Sequence, residues 1–207
     1  MKMHGRLALA ALLLTTALAL ASCGSSGSDG GMQGMDHEEM NGGDESGGGM
    51  VMENGKYSDE AFIDAMVPHH RDAVEMAEVA LENAEHQEIQ RLARNIIAAQ
   101  RTEIEELRSL KEEISGASDA PMQMSEKDME SMGMMTDPGE LANREPFDKA
   151  FIDAMIPHHQ SATEMARIAA ERSGNPGIQT LAEDIITAQA REIEQMKTWR
   201  EEWYPES

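Results

Sequence analysis

Two short stretches hold the side chains best suited to chemistry. Met66-Val67-Pro68-His69-His70 is followed by Met76, and Met155-Ile156-Pro157-His158-His159 is followed by Met165. On a helix that advances about 100° per residue, Met66, His69, His70 and Met76 share one face with Phe62. A face presenting thioether, imidazole, imidazole and thioether suits a soft or borderline ion such as Cu(I) or Ag(I). Zinc more often recruits cysteine or carboxylate. Methionine at core spacing is, taken alone, ordinary filling. Two adjacent imidazoles differ, because they do not enter an apolar stripe cheaply without partners. Pro68 lacks an N–H and crowds the carbonyl four residues back, which predicts a kink or a restart before His69.

A second polar set interrupts an apolar stripe further along: Gln100 and Glu103, and again Gln189 and Glu192. Buried amides and carboxylates need partners, and either a metal ion or the facing histidines would serve. A bond from His69 or His70 to Glu103 would fix the imidazole tautomer, as a structural tie or as support for a metal ligand. Asp64, Glu75 and Glu82, with Asp153, Glu164 and Glu171, fall on the opposite side of the first helix and read as a solvated face.

More methionine lies outside these helices. One segment contains Met32-x-x-Met35-Asp36-His37-x-x-Met40, then Met50 and Met52; another contains Met122, Met124, Met129, Met132, Met134 and Met135. Both are rich in Gly, Ser and acids, a composition that predicts disorder. A disordered segment has no core to fill, so packing does not account for its methionines. Thioethers stay unprotonated in acid and form no disulfides, which suits capture of soft metals in an oxidising compartment. The competing account is low-complexity drift, with methionine as an oxidant sink.

The elements that must position these residues form an internal repeat. Residues 62–107 align with 151–196 at a constant offset of 89, with 25 of 46 positions identical. Each copy reads as two helices. The first runs from Asp59 (Asp148 in the second copy), a candidate N-cap, to about Asn83 (Arg172). Gly174-Asn175-Pro176-Gly177 marks a turn. The second helix runs from about Glu88 to Ile114, and from about Gly177 to Glu202, with Ile89, Leu92, Ala93, Ile96, Leu107 and Leu110 on one stripe. Nothing alternates with period two, so no sheet is expected. Two such hairpins, over 57–114 and 146–204 and joined by a Met-rich linker at 115–145, bury their stripes best as an all-α, four-helix bundle.

Residues 1–22 read as a secretion signal, with Lys2 and Arg6 ahead of an apolar run from Leu7 to Leu20. Leu20-Ala21-Ser22-Cys23 resembles the bacterial lipobox, which makes Cys23, the one cysteine of the chain, a lipidation site. Residues 23–56 then form a tether, and the protein is expected outside the cytoplasm, lipid-anchored to the bacterial cell membrane. The net charge of −22 becomes −24 once Lys2 and Arg6 are removed. Such a charge repels nucleic acid and attracts cations without selecting among them.

The pattern Phe-x-x-x-Met-x-Pro-His-His-x-x-Ala-x-x-Met-Ala, followed by Gln-x-x-Glu-Ile, resembles the family known as domain of unknown function 305, over most of residues 57–203. The resemblance implies a ferritin-like helical fold, with secreted or periplasmic copper-binding members linked to copper resistance. By position it implies Met66, His69, His70 and Met76 as ligands, with Met155, His158, His159 and Met165 in the second copy. That family often carries Met after Gln-x-x-Glu-Ile; Met196 keeps it, whereas the first copy has Leu107. The expected function is copper binding, with Cu(I) preferred and Ag(I) possible, rather than catalysis. Expected partners are metal ions, the membrane through the lipid, and a copper-handling protein. The alternatives are an interaction scaffold with structural histidines and a ferritin-like di-iron oxidase. The oxidase reading suffers because Met66 stands where a Glu-x-x-His pair needs Glu.

Overall fold

The computed structural model describes residues 47–116 and 124–205. The signal segment, Cys23, Met32, Met35, His37, Met40 and Met122 lie outside the described residues. In chain order come β1 (Met52–Glu53), β2 (Lys56–Tyr57), α1 (Asp59–Asn83), α2 (Gln87–Ser115), α3 (Glu126–Ser131), α4 (Pro138–Leu141), α5 (Phe147–Arg172) and α6 (Pro176–Trp203). α1 pairs with α2 and α5 with α6, and the two hairpins meet mainly along α1 and α5. The expected four-helix bundle is thus the fold. None of the described helices is long and apolar enough to cross a membrane.

Helix starts differ in part from the sequence reading. Ser58 rather than Asp59 caps α1, its hydroxyl accepting from the Ala61 amide at 3.3 Å. Asp59 sits one residue inside, where a negative charge meets the positive end of the helix dipole. Asp148 is likewise inside α5 and does not cap it. Its buried carboxylate instead accepts from the amides of Glu85 (3.1 Å) and His86 (2.8 Å) and from His86 Nδ1 (2.6 Å). It thereby ties the start of α2, where His86 makes no side-chain cap bond of its own. Asn175 caps α6 as the turn signal requires, accepting from Gly177 and Ile178, with Pro176 at the first helical position.

The expected restart at Pro68 does not occur, since α1 and α5 run on through Pro68 and Pro157. Burial of Met66, Val67, His69 and His70 on both sides of Pro68 holds the helix where propensity alone would break it.

Parts of the tether and linker are folded. Gly47–Val51 makes a 3-10 turn, and β1 pairs antiparallel with β2 across Asn54-Gly55, both at positive φ (51° and 74°). Asn-Gly is the commonest two-residue hairpin signal. The strands are only two residues long, too short for alternation to reveal them, so the expectation of no sheet is corrected here. Val51 is fully buried, as are Met132 and Leu141 in the linker. Packing therefore does account for Met132.

The apolar core has two parts at opposite ends of the bundle. One end combines Phe62, Met66 and Leu107 of the first hairpin with Met165 and Ile178 of the second; the strap formed by residues 47–57 and 124–134 covers it. The other combines Phe151, Met155 and Met196 with Met76 and Ile89, edged by Trp199 and Trp203.

Candidate metal centre

The four repeated histidines occupy the level between the two core clusters, all with no exposed surface. Where α1 crosses α5, the His69 and His158 ring centroids are 3.8 Å apart and inclined by 39°. His70 and His159 flank them, their ring centroids 6.3 and 6.2 Å from those of their chain neighbours.

Each imidazole turns Nε2 toward oxygen. His69 Nε2–H donates to the Met132 carbonyl (3.0 Å) and to Ser161 Oγ (2.8 Å); the Ser161 hydroxyl donates in turn to the Met132 carbonyl at 2.6 Å. His159 Nε2–H donates to Glu192 Oε2 at 2.7 Å. His70 Nε2 lies 2.7 Å from Glu103 Oε2, and His158 Nε2 lies 3.2 Å from Asp72 Oδ2, both off the ideal hydrogen-bond line. A carbonyl can only accept, so His69 carries its proton on Nε2 and presents a lone pair at Nδ1.

The Nδ1 atoms of all four histidines are buried and unpartnered. So are both amide atoms of Gln100 and of Gln189, each side chain only 2% exposed. Leaving such groups unpaired costs about 1–3 kcal/mol each. Six of them together approach the whole stability of a domain, about 5–15 kcal/mol. Burial, and then the neighbouring imidazoles, hold His69 and His158 well below the usual histidine pKa. They are therefore neutral and available as donors at ordinary pH. Among the described residues no group of three or more His, Cys, Asp or Glu is arranged to hold an ion.

The predicted thioethers are buried just beyond this layer, divided between the ends. Met66 and Met165 join one cluster; Met76, Met155 and Met196 join the other. Each end thus draws the early methionine of one copy and the later methionine of the other. Glu103 and Glu192 meet the histidine level from α2 and α6, while Gln100 and Gln189 are buried on the same two helices.

The sequence reading missed Asp72, Ser161 and the Met132 carbonyl. Asp72 and Ser161 occupy equivalent repeat positions, three residues after His69 and His158, and each serves the histidine of the opposite copy. The i+3 spacing was visible. The Asp-to-Ser difference between copies drew attention away from it. Asp72 has its pKa raised to about 6 by burial and by the nearby Asp137. Asp64, read as solvated, pairs with the buried Lys111. Asp153 pairs with Lys149 (2.6 Å) and Arg200 (2.7 Å).

A four-helix bundle with paired histidines buried between methionine layers defines a class of protein. The chain belongs to the family described as Domain of unknown function (DUF305), whose model matches residues 59–200 in one span across both hairpins. CopM in its Cu(I)-bound form is 39% identical with a TM-score of 0.65, covering 72% of this chain and 99% of that one. CopM in a silver-bound form is 39% identical at TM-score 0.62 over the same shares. A DUF305 fragment from Deinococcus radiodurans is 25% identical at TM-score 0.61, over 68% of this chain and 93% of that one. An uncharacterized protein of Acanthamoeba polyphaga mimivirus is 41% identical over 51 residues, 25% of this chain. The match spans about a third (34%) of that relative's length.

Proposed function

We propose that this chain binds Cu(I), and Ag(I) in its place, as an extracytoplasmic lipoprotein that buffers or sequesters the ion. The observation that carries this reading is the set of four buried imidazoles with unpartnered Nδ1 atoms between two buried methionine clusters. Neutral imidazole and thioether together suit a soft monovalent ion. The proposed ligands are His69, His70, His158 and His159 through Nδ1, with Met66, Met76, Met155, Met165 and Met196. Glu103, Glu192, Asp72 and Ser161 hold the rings by Nε2, the role of oriented carboxylates behind metal-bound histidine. Likeness to CopM, solved with Cu(I), Cu(II) and silver, supports the choice of metal. The apolar leader ending at Cys23 supports export and lipid anchoring, and the duplicated hairpin supports a layer shared by two copies of one unit. The protein holds its ion rather than turning over a substrate, because methionine replaces the Glu that a carboxylate-bridged di-iron bundle uses.

The test offers Cu(I), Ag(I), Zn(II) and Fe(II) to the purified chain and to a variant with His69, His70, His158 and His159 all replaced by Ala. Tight Cu(I) retention lost in the variant is the expected result. Equal retention in both proteins would remove the histidine layer from the proposal, and iron binding with oxygen consumption would restore the oxidase reading.

A further inference from the structure

Seven methionines meet at one end of the bundle. Met66, Met132 and Met165 are fully buried there, while Met50, Met52, Met124 and Met134 are half-buried against the same cluster. Only Met66 and Met165 belong to the repeat; the other five come from the strap. Any large apolar side chain would anchor a strap, and Leu or Ile would do so with better-defined rotamers. Yet its anchors in this cluster are Val51 and Tyr57 beside five methionines.

Their exposure is graded. Met135, next in the chain, is 53% exposed; Met50, Met52, Met124 and Met134 are intermediate; Met132, Met66 and Met165 are sealed. The backbone of Met132 anchors the sealed end of this series to the histidine layer, its carbonyl accepting from His69 Nε2 at 3.0 Å. Met66 also lies one helical turn before His69 on the same buried face. At the opposite end Met76, Met155 and Met196 are at most 1% exposed, and the half-buried residues packed on them, such as Ile97, Trp199 and Trp203, include no methionine among the described residues.

We propose that the strap methionines form a one-sided thioether portal through which Cu(I) or Ag(I) passes from solvent to the histidine layer. The ion exchanges one thioether for the next without changing oxidation state, so no electron donor is required. Thioethers are soft, uncharged and weakly hydrated, so each handover replaces like with like and keeps the monovalent ion coordinated by sulfur as it leaves water. Among the described residues, the opposite end offers no such sequence of sites. This inference rests on the proposed function, and its test is chosen to fail separately.

In the full chain, Met50, Met52, Met124, Met134 and Met135 are replaced together by Leu, which preserves apolar volume. Ag(I) uptake is followed in time by the imidazole NMR signals, and the final amount bound is measured. The expected result is uptake slowed about tenfold or more, equivalent to ~1.4 kcal/mol on the barrier, with unchanged final binding at the histidines. A second variant, Met124→Leu with Met134→Leu, should slow uptake by a smaller factor and serves if the fivefold variant misfolds. An unchanged rate in both strap variants would overturn the portal, as would a loss of bound Ag(I) in proportion to the methionines removed, which would make them storage sites. If wild-type uptake leaves the imidazole signals unmoved, the proposed function itself falls.

Discussion

At one end of the bundle Phe62, Met66 and Leu107 pack with Met165 and Ile178; at the other the equivalent positions are Phe151, Met155 and Met196 with Met76 and Ile89. Four of these five pairs are identical residues, and the exception is Leu107 against Met196. The repeat therefore supplies two matched chambers with the histidine layer between them. Beyond that pair, they differ mainly in what lies outside the repeat: the strap roofs one chamber with methionine, and Trp199 and Trp203 stack at the other, beside His86. Duplication explains the scaffold, while the sequence added around it decides which end meets the solvent through sulfur.

The most disruptive test of this equivalence is truncation of its two phenylalanines. Phe62→Ala and Phe151→Ala, both fully buried, should each lose about 3–5 kcal/mol in urea unfolding. Closely matched losses would support matched chambers, and a much larger loss on one side would break the comparison.

Gly133→Ala should act on the strap and on the histidine layer it touches. Gly133 has φ +69°, and a Cβ there would lie 3.0 Å from the His158 amide nitrogen and 3.1 Å from its Cα. We expect a loss of about 1–3 kcal/mol. Amide exchange should also accelerate around Met132 and leave α1–α2 near Ile89 unchanged.

Acid should weaken the metal-free protein. His69 and His158 are held below their unfolded pKa, so below about pH 6.5 the unfolded chain takes up protons that the native layer refuses, and stability falls with pH. Asp72 works the other way: raised to about 6, it gains a native-state proton between about pH 6 and its ordinary value, which restores stability. Two groups oppose one, leaving a net loss of roughly 1.4 kcal/mol per pH unit just below pH 6. Asp72→Ser would make the two copies alike at this position, and it should roughly double that slope in denaturant titrations at pH 5 and 6.

The smallest expected effect comes from exchanging the one unmatched pair. Leu107→Met and Met196→Leu should each change stability by less than about 1.5 kcal/mol. They should move Cu(I) affinity in opposite directions, read by competition with a Cu(I) chelator. Affinity unchanged in both would exclude the thioether at this position from the ligand set.

Much of this was legible in the sequence, for identifiable reasons. Helices of 25 to 29 residues carry enough apolar periods to be read directly. An exact His-His repeat and paired Gln-x-x-Glu interruptions marked the central layer. What escaped was short or indirect. The two-residue strands, the burial of Met132, and the cross-copy service of Asp72 and Ser161 depend on which surfaces meet, and a helical wheel does not show that. Pro68 does not restart its helix because local propensity yields to burial on both sides of it.

The Asp148 clasp has a consequence for how the molecule could be divided. The carboxylate that holds the first two amides before α2 belongs to the other hairpin, 62 and 63 residues away. A chain cut within the linker would leave that helix start bare, so the first hairpin is not a self-sufficient module, whereas α6 of the second keeps its own cap in Asn175. The dependence runs one way: the second hairpin completes the first, and the chain that joins them keeps the needed carboxylate always within reach.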